Sequence, residues 1–229
     1  TLNINNVEVV GDTRFDRVLD IKDAAKQLPI VESFKNGHKA LVAGSSWQPD
    51  EEIFIPYFAD HKDWQLIIAP HVISEDHLQQ IESLLKASGR KSYRYTQLAE
   101  AYEQSGVMSE MESGAALIIN CFGLLSSIYH YGEVAYVGGG FGVGIHNTLE
   151  AAVWGVPVFF GPNNQHFQEA QGLKACGGGI EIQSSADFAR QMNRLLADES
   201  ALARCAQSAG NYVRSYSGAL EKVMREVEL

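Results

Sequence analysis

The chain has 229 residues, of which 45% are hydrophobic and 20% are charged. A chain of this length and composition can bury a core without disulfides or a metal, which excludes bulk disorder. The formal net charge of −10 argues against a general nucleic-acid-binding protein, because such proteins carry a basic surface.

The cysteines and the apolar pattern bear on the compartment. Cys121, Cys176 and Cys205 are odd in number and far apart, which argues against a disulfide framework or a zinc site and favours a reducing compartment. No apolar run is long enough to span a bilayer, and no signal-peptide pattern opens the chain. Because the sequence starts at Thr1 rather than at methionine, we expect a processed or excised piece of a longer protein.

The N-terminal segment, residues 1–35, is the least regular part of the chain. We predict a short strand at Val7–Val10 and then a helix that Asp12 or Thr13 would cap. Short apolar runs follow that are typical of parallel strands covered on both faces. These runs are Ala40–Ala43, Leu66–Ala69, Ala115–Ile119, Val134–Val137 and Val156–Phe160, with weaker strands at Lys91–Tyr95 and Gly179–Ile182.

Helical stretches separate these strands. The predicted helices are Pro49–Ala59, Glu75–Ala87, Gln97–Gln104, Leu124–Tyr131, Asn147–Trp154 and Gln165–Leu173, then Ala186–Ala197, Glu199–Arg214 and Ser217–Val227. Ser74 is placed to cap the second of them. The alternation predicts an α/β fold with a Rossmann-like, doubly wound parallel sheet and extra C-terminal helices over 184–229. No linker divides the chain, so we predict a single domain over 1–229.

The carboxyl ends of the predicted strands carry unusual residues, and ligands of open α/β sheets bind there. Gly44, Ser45 and Ser46 follow the first long strand. Their hydroxyl or amide groups suit a phosphate or carboxylate, although simple helix capping explains the serines equally well. Pro70 and His71 follow the next strand, where His71 is either a phosphate contact or a structural loop residue.

The strongest signal is the glycine-rich stretch Gly138–Glu150. Five glycines fall within seven residues: Gly138, Gly139, Gly140, Gly142 and Gly144. Such a loop lets backbone N–H groups approach an anion, and the helix start behind it adds partial positive charge, so phosphate is the expected ligand. The motif is neither a Walker loop nor a dinucleotide fingerprint. The alternative is a tight turn without a ligand, although so many glycines cost stability unless something must come close.

Three side chains in this stretch are further candidates. His146 lies inside the motif, and Asn147 is a natural helix cap. Glu150 has the spacing from Asn147 of a capping box, and its carboxylate also suits the hydroxyls of a ribose, so both interpretations stay open.

Other residues are interpreted as structural. The acidic run Asp50–Glu52 is predicted to be a solvated helix start. Trp47, Tyr136 and Phe141 are predicted to pack rather than to stack on a base. No nucleophile elbow or paired-carboxylate motif is present, so the residues alone suggest a nucleotide or nucleotide-sugar binding domain without a complete catalytic set.

Ordered stretches of the chain resemble one known family. Tyr136–Gly140, Gly144–Ala152 and Gly155–Pro162 resemble the C-terminal half of 3-deoxy-D-manno-octulosonic acid (Kdo) transferases. Val10–Asp16 resembles the segment that opens their C-terminal domain, and Leu41–Ser46 resembles the first strand and loop of that domain. The resemblance covers nearly the whole chain.

The resemblance implies the GT-B fold, in which two Rossmann-like domains face each other across a cleft. This chain would be the donor half, with 1–35 as the segment connecting the domains, and would bind CMP-Kdo. An absent N-terminal domain would bind the lipid A precursor and supply the catalytic carboxylate. The residues implied around CMP are Gly44, Ser45, Ser46, Pro70, His71, Gly139, Gly140, Gly142, Gly144, His146, Asn147 and Glu150, with Glu150 near the ribose.

The implied reaction inverts the anomeric carbon without a metal or cofactor, at the cytoplasmic face of the bacterial inner membrane. The piece alone is expected to be soluble and inactive. The chain departs from common members, because Pro70 stands in place of an arginine and Leu124 in place of a glutamate, a pattern that looks like a Bacteroidetes-type variant. The alternatives are another GT-B enzyme or an epimerase that uses a UDP-sugar, or a non-catalytic nucleotide-binding domain.

Overall fold

The computed structural model describes residues 7–107 and 111–227, and a seven-stranded sheet organises them. The strands are β1 (Lys39–Ser46), β2 (Trp64–Pro70), β3 (Ser92–Arg94), β4 (Ala116–Ile118), β5 (Val134–Val137), β6 (Val158–Phe160) and β7 (Gly179–Glu181). All neighbouring strands are parallel, in the order β3-β4-β2-β1-β5-β6-β7. The predicted strands from Ala40 onward are thereby confirmed, and Val134–Val137 has its predicted bounds.

Helices cover both faces of this sheet. They are α1 (Arg14–Asp23), α2 (Pro29–Lys35), α3 (Gln48–Phe54), α4 (Glu75–Ala87), α5 (Tyr95–Ser105), α6 (Leu125–Ile128), α7 (Leu149–Ala152), α8 (Gln168–Cys176), α9 (Ser185–Leu196), α10 (Glu199–Tyr216) and α11 (Ala219–Glu226). Within the described ranges, no helix combines the length and the apolar character that a bilayer crossing requires.

Two apolar clusters lie on opposite faces of the sheet, because successive strand side chains alternate between faces. Along β1, Leu41 and Ala43 join the cluster under α3, α4 and α9, whereas Val42 joins the cluster under α1, α2, α8 and α10. Burial on both faces explains why the strands are continuous apolar runs, and it confirms the doubly wound arrangement.

The N-terminal strand prediction is wrong. Residues Val7–Val10 form no strand, and the Val7 and Val9 side chains are 73% and 89% exposed. The backbone there pairs with no sheet edge, so its short apolar pattern has nothing to bury it. The helix predicted behind it is present as α1. The Asp12 carboxylate accepts a hydrogen bond from the Arg14 N–H at 2.9 Å, whereas Thr13 makes no side-chain cap.

Several helix bounds also differ from the prediction. The helix predicted over Pro49–Ala59 ends at Phe54 and continues as a 3-10 helix from Pro56, because proline removes a helical hydrogen bond. The helix predicted over Asn147–Trp154 is reduced to the four residues of α7. The Ser74 cap is confirmed, since its Oγ accepts from the His77 N–H at 3.3 Å.

The strand order places a crevice at one point of the sheet. Strands β2, β4 and β3 lie on one side of β1, with β3 at the edge. After β4 the chain crosses to the other side of β1, where β5, β6 and β7 follow in order. The carboxyl ends of β1 and β5 therefore flank the topological switch point, where open α/β sheets bind their ligands.

Candidate functional site

The switch point brings three predicted segments together. The Gly138 N–H donates to the Gly44 carbonyl at 3.0 Å, and the His71 N–H donates to the Ser46 carbonyl at 2.9 Å. The glycine loop folds back on itself, because the His146 N–H donates to the Gly138 carbonyl at 3.1 Å. The turns after β1, β2 and β5 thus form one rim through backbone contacts.

Three aromatic side chains form a stack on this rim. The His71 ring stacks on both the Trp47 indole, at a centroid distance of 4.7 Å, and the His146 ring, at 4.3 Å. The Trp47 Nε1–H also donates to His146 Nε2 at 3.2 Å. The stack combines residues from three separate turns. The sequence marked His71 and His146 as candidates, but Trp47 was expected only to pack.

The indole contact fixes the protonation of His146. Because an indole nitrogen only donates, His146 Nε2 accepts and its proton resides on Nδ1. Burial and the neighbouring His71 both lower the pKa of His146, which favours this neutral form. His71 itself is exposed, so it is the ring of the pair that is open to an incoming anion.

The two serines after β1 have different environments. Ser45 has a φ of 51°, a left-handed conformation that is rare for a residue other than glycine. It lines a cleft of about 260 Å³ at the carboxyl ends of β1, β2 and β4. Ser46 is fully buried, and its Oγ donates to Glu51 Oε1 at 2.8 Å. The Ser46 hydroxyl therefore points inward and its proton is already engaged.

The cleft beside Ser45 has a mainly apolar wall that the sequence did not single out. Its lining includes Pro70, His71, Ile119, Cys121 and Phe122. Phe122 is 85% exposed, which is unusual for a phenyl ring and leaves its face open beside the cleft. The sequence does predict one part of this wall at the rim, because Asn120–Gly123 comes directly after the buried strand Ala115–Ile119.

The acidic run after Trp47 is not a solvated helix start, contrary to the prediction. Asp50 and Glu51 are each 1% exposed. Asp50 Oδ2 accepts from the N–H groups of Trp47 and Gly139, both at 2.9 Å, and Asp50 Oδ1 accepts from the Tyr136 hydroxyl at 3.0 Å. Burial raises the pKa of Asp50, and the three donors oppose that rise. Only Glu52 of the run is exposed.

Glu51 in α3 and His77 in α4 form a largely buried pair. Glu51 Oε2 lies 3.0 Å from His77 Nε2, and His77 Nδ1 lies 2.9 Å from the Val72 carbonyl. A carbonyl only accepts, so His77 Nδ1 is the donor in the bond to Val72. Burial raises the pKa of Glu51, while His77 and Ser46 act in the opposite direction. The pair anchors α4 to the first turn of α3.

Most glycines of the loop have a packing reason that needs no ligand. A Cβ at Gly138 would lie 2.2 Å from the Ser45 carbonyl oxygen, and one at Gly140 would lie 2.6 Å from the Gly161 backbone. Gly139 and Gly144 have φ values of 94° and 112°. A Cβ at Gly142 would meet only the Gly139 oxygen, at 4.0 Å. The glycine count is therefore weaker evidence for a ligand than the sequence suggested.

Among the residues that the structure describes, three backbone N–H donors of the loop are unpaired, in the buried Gly140, the half-buried Phe141 and the exposed Val143. Asn163 holds the far side of the loop, because its N–H donates to the Gly140 carbonyl at 2.9 Å and its Nδ2 to the Gly142 carbonyl at 2.8 Å. With only four residues, α7 adds little dipole, so the amides are the main electrostatic feature.

Glu150 makes no capping-box contact. The Asn147 Oδ1 accepts from the Leu149 N–H at 3.1 Å, so Asn147 does satisfy the helix start. The Glu150 carboxylate instead accepts from Asn147 Nδ2 at 3.1 Å and from Ser126 Oγ at 3.3 Å. It is half-buried, and two side chains orient it at the rim. Within the described ranges, no group of three or more His, Cys, Asp or Glu side chains is arranged to hold a metal.

The comparisons with known proteins agree on one group of enzymes. No protein-family model matches the chain. The chain is 27% identical over 162 residues to the 3-deoxy-D-manno-octulosonic acid transferase of Aquifex aeolicus, an alignment that covers 68% of this chain and 41% of that protein. The chain thus spans about 40% of the length of the curated relatives it matches.

Solved structures share the fold. The C-terminal CMP-Kdo binding domain of WaaA from Acinetobacter baumannii superposes with a TM-score of 0.63 at 17% identity, over 87% of this chain and 97% of that domain. WaaG, a glycosyltransferase of lipopolysaccharide biosynthesis, matches with a TM-score of 0.55 at 13% identity, over 89% of this chain and 52% of WaaG. The chain is therefore a relative of the Kdo transferases and has the fold of the C-terminal half of a GT-B glycosyltransferase.

Proposed function

We propose that this chain binds CMP-Kdo as the donor domain of a glycosyltransferase that moves Kdo onto a lipid A precursor. The observation that carries the proposal is the rim at the switch point. Unpaired loop amides, the exposed His71 ring and the Glu150 carboxylate all lie there, in a chain related to Kdo transferases. Anion donors and a hydroxyl acceptor on one rim suit a nucleoside monophosphate.

The phosphate of the donor would lie against the glycine loop. The N–H groups of Gly140, Phe141 and Val143 would donate to its oxygens, and His71 would add a proton donor beside them. Because the rim is preorganised, these donors can stabilise the negative charge that develops on CMP as the bond to Kdo breaks. This differential stabilisation is the contribution of the chain to catalysis.

Glu150 and the apolar cleft would orient the nucleoside. The Glu150 carboxylate, held by Asn147 and Ser126, retains acceptor sites for ribose hydroxyls. The cleft of about 260 Å³ between Ser45 and Phe122 offers an apolar wall for a base. The backbone and side-chain frame of the proposed site consists of Gly44, Ser45, Pro70, Gly139, Gly142, Gly144, His146 and Asn147. For Ser46, only the backbone faces the rim.

The remaining steps are assigned to a partner domain. We propose that an N-terminal acceptor domain of the same enzyme binds the lipid A precursor and supplies the base that deprotonates its hydroxyl, at the cytoplasmic face of the inner membrane. No metal or cofactor enters this scheme. The chain, taken over 1–229 as one donor domain, is expected to bind nucleotide and to turn over nothing by itself.

The test is calorimetric titration of the chain with CMP and with UDP under identical conditions. A clear preference for CMP supports the proposal. A preference for UDP would overturn it and favour an enzyme that uses a UDP-sugar. A second arm adds an acceptor domain and assays Kdo transfer. Nucleotide binding without transfer in that arm would favour a non-catalytic nucleotide-binding domain.

A further inference from the structure

The buried carboxylate of Asp50 connects two parts of the rim that are far apart in sequence. It lies in the first turn of α3, yet it accepts hydrogen bonds from the N–H groups of Trp47 and Gly139 and from the Tyr136 hydroxyl. Gly139 is 89 residues away along the chain. One side chain therefore joins the turn after β1, the end of β5 and the first bend of the glycine loop.

A gap lies beside this contact. A cavity of about 110 Å³ separates the start of α3 from the loop, and Pro49, Phe141 and Val143 are among its lining residues. Side-chain packing does not close this gap, and the hydrogen bond from the Gly139 N–H to Asp50 spans it. It acts together with the bonds from Gly138 to Gly44 and from Trp47 to His146, which link the same turns. Trp47 is fixed by the same carboxylate, so the first ring of the stack depends on it as well.

The contact also decides which loop amides a ligand can use. The Gly139 N–H is already paired with Asp50, whereas those of Gly140, Phe141 and Val143 are unpaired. An anion would thus meet the later amides, whose positions follow from the anchored bend. The negative charge of Asp50 itself opposes an incoming phosphate, so attraction cannot be its role.

We propose that Asp50 is a positioning residue for the phosphate-binding loop, which acts through its hydrogen bonds and not through its charge. The inference rests on the proposed nucleotide-binding function. Asparagine can keep the two backbone contacts, because its Oδ1 can accept from the N–H groups of Trp47 and Gly139. It loses only the acceptor for the Tyr136 hydroxyl, whose oxygen the Nδ2 group would face instead. Leucine has a similar volume and can accept nothing.

The experiment compares Asp50→Leu, Asp50→Asn and the matched control Glu52→Leu, which places the same side chain on the exposed neighbour in α3. CMP affinity is measured by calorimetry, and exchange of the Gly139 amide hydrogen by NMR. We expect Asp50→Leu to weaken CMP binding by about 10- to 100-fold, the effect of leaving buried donors unpaired, and to accelerate Gly139 exchange. Asp50→Asn and Glu52→Leu should bind CMP within about threefold of the unmodified chain, since the N–H groups of Trp47 and Gly139 stay paired in both.

Two results would overturn the inference. One is CMP affinity in folded Asp50→Leu equal to that of the unmodified chain. The other is equal loss in Asp50→Asn and Asp50→Leu, because a role in charge would then replace one in geometry. Thermal unfolding identifies any variant that does not fold.

A measurement on the unmodified chain keeps the inference testable if Asp50→Leu does not fold. On CMP addition, the amide signals of Gly140, Phe141 and Val143 should move, while the Gly139 amide should keep its position and its slow exchange. Recruitment of the Gly139 amide by CMP would contradict the inference. If UDP binds and CMP does not, the proposed function fails, and the same variants titrated with UDP still decide the role of Asp50.

Discussion

The glycine loop and the acidic turn after Trp47 both differ from what their sequences predict. Packing within the protein explains most of the loop, and the acidic turn holds buried contacts. The loop looks like a ligand cradle, yet Gly138 and Gly140 are required by backbone approaches to Ser45 and Gly161. The acidic turn looks solvated, yet Asp50 and Glu51 are buried and tie neighbouring elements together. Residue types along the chain therefore identify where a turn lies, whereas contacts across the sheet decide what that turn does.

The largest effect on stability is expected from adding one carbon to the glycine loop. Gly140→Ala would place a Cβ 2.6 Å from Gly161 backbone atoms, which cannot rotate away. We expect the free energy of unfolding to fall by about 3 kcal/mol, the upper end of the usual cost of overpacking. Urea denaturation measures the loss of unfolding free energy. An unchanged unfolding midpoint would contradict the prediction and would mean that the loop can shift to accommodate the added Cβ.

Glu150→Ala tests whether the carboxylate at the rim serves a ligand or the helix. Because Glu150 accepts from side chains and not from the helix backbone, its removal should leave the unfolding temperature nearly unchanged. CMP binding should weaken by about 1–3 kcal/mol, the cost of unpaired hydrogen-bonding groups. Asn147→Ala is the contrasting variant, since it removes the bond to the Leu149 N–H and should lower stability by about 1 kcal/mol. Loss of stability in Glu150→Ala with unchanged CMP affinity would restore the capping interpretation.

The buried Asp50 carboxylate predicts how the stability of the fold changes with pH. Burial raises the pKa of Asp50 above its ordinary value, so the folded chain binds more protons at this site than the unfolded chain in the window between the two values. The stability due to the protonated form is complete below the ordinary pKa and is lost as pH rises through the folded pKa. Asp50→Asn removes this dependence, at about 1.4 kcal/mol for each pKa unit of difference. Urea unfolding of both proteins across this window should show the asparagine variant gaining relative stability as pH rises; parallel curves would contradict the shift.

The smallest expected effect is at Gly142. This glycine is exposed, and an added Cβ would meet nothing closer than 4.0 Å. Gly142→Ala should therefore change the free energy of unfolding by less than about 0.5 kcal/mol, as for ordinary surface substitutions. A large loss of CMP affinity at unchanged stability would identify Gly142 as the glycine that a ligand requires.

The sequence predicts the sheet well because a strand that is buried on both faces is a continuous apolar run, which can be seen in each strand separately. Leu66–Ala69 is apolar throughout, and the strand is buried on both faces of the sheet. The rim is predictable only as a set of turns. That Asp50 contacts Gly139, or that Trp47 meets His146 99 residues later, depends on strand order, which no local pattern contains. Val7–Val10 fails for the same reason, since a strand exists only where another edge pairs with it.

The aromatic stack makes the site observable by light. Trp47 is one of three tryptophans, and it stacks on the exposed His71 ring. Trp64 lies in the core, and Trp154 makes a tilted contact with the exposed His130 ring at 4.8 Å. A ligand that displaces the His71 ring changes the surroundings of the Trp47 indole and therefore its emission, so the unlabelled chain reports its own occupancy.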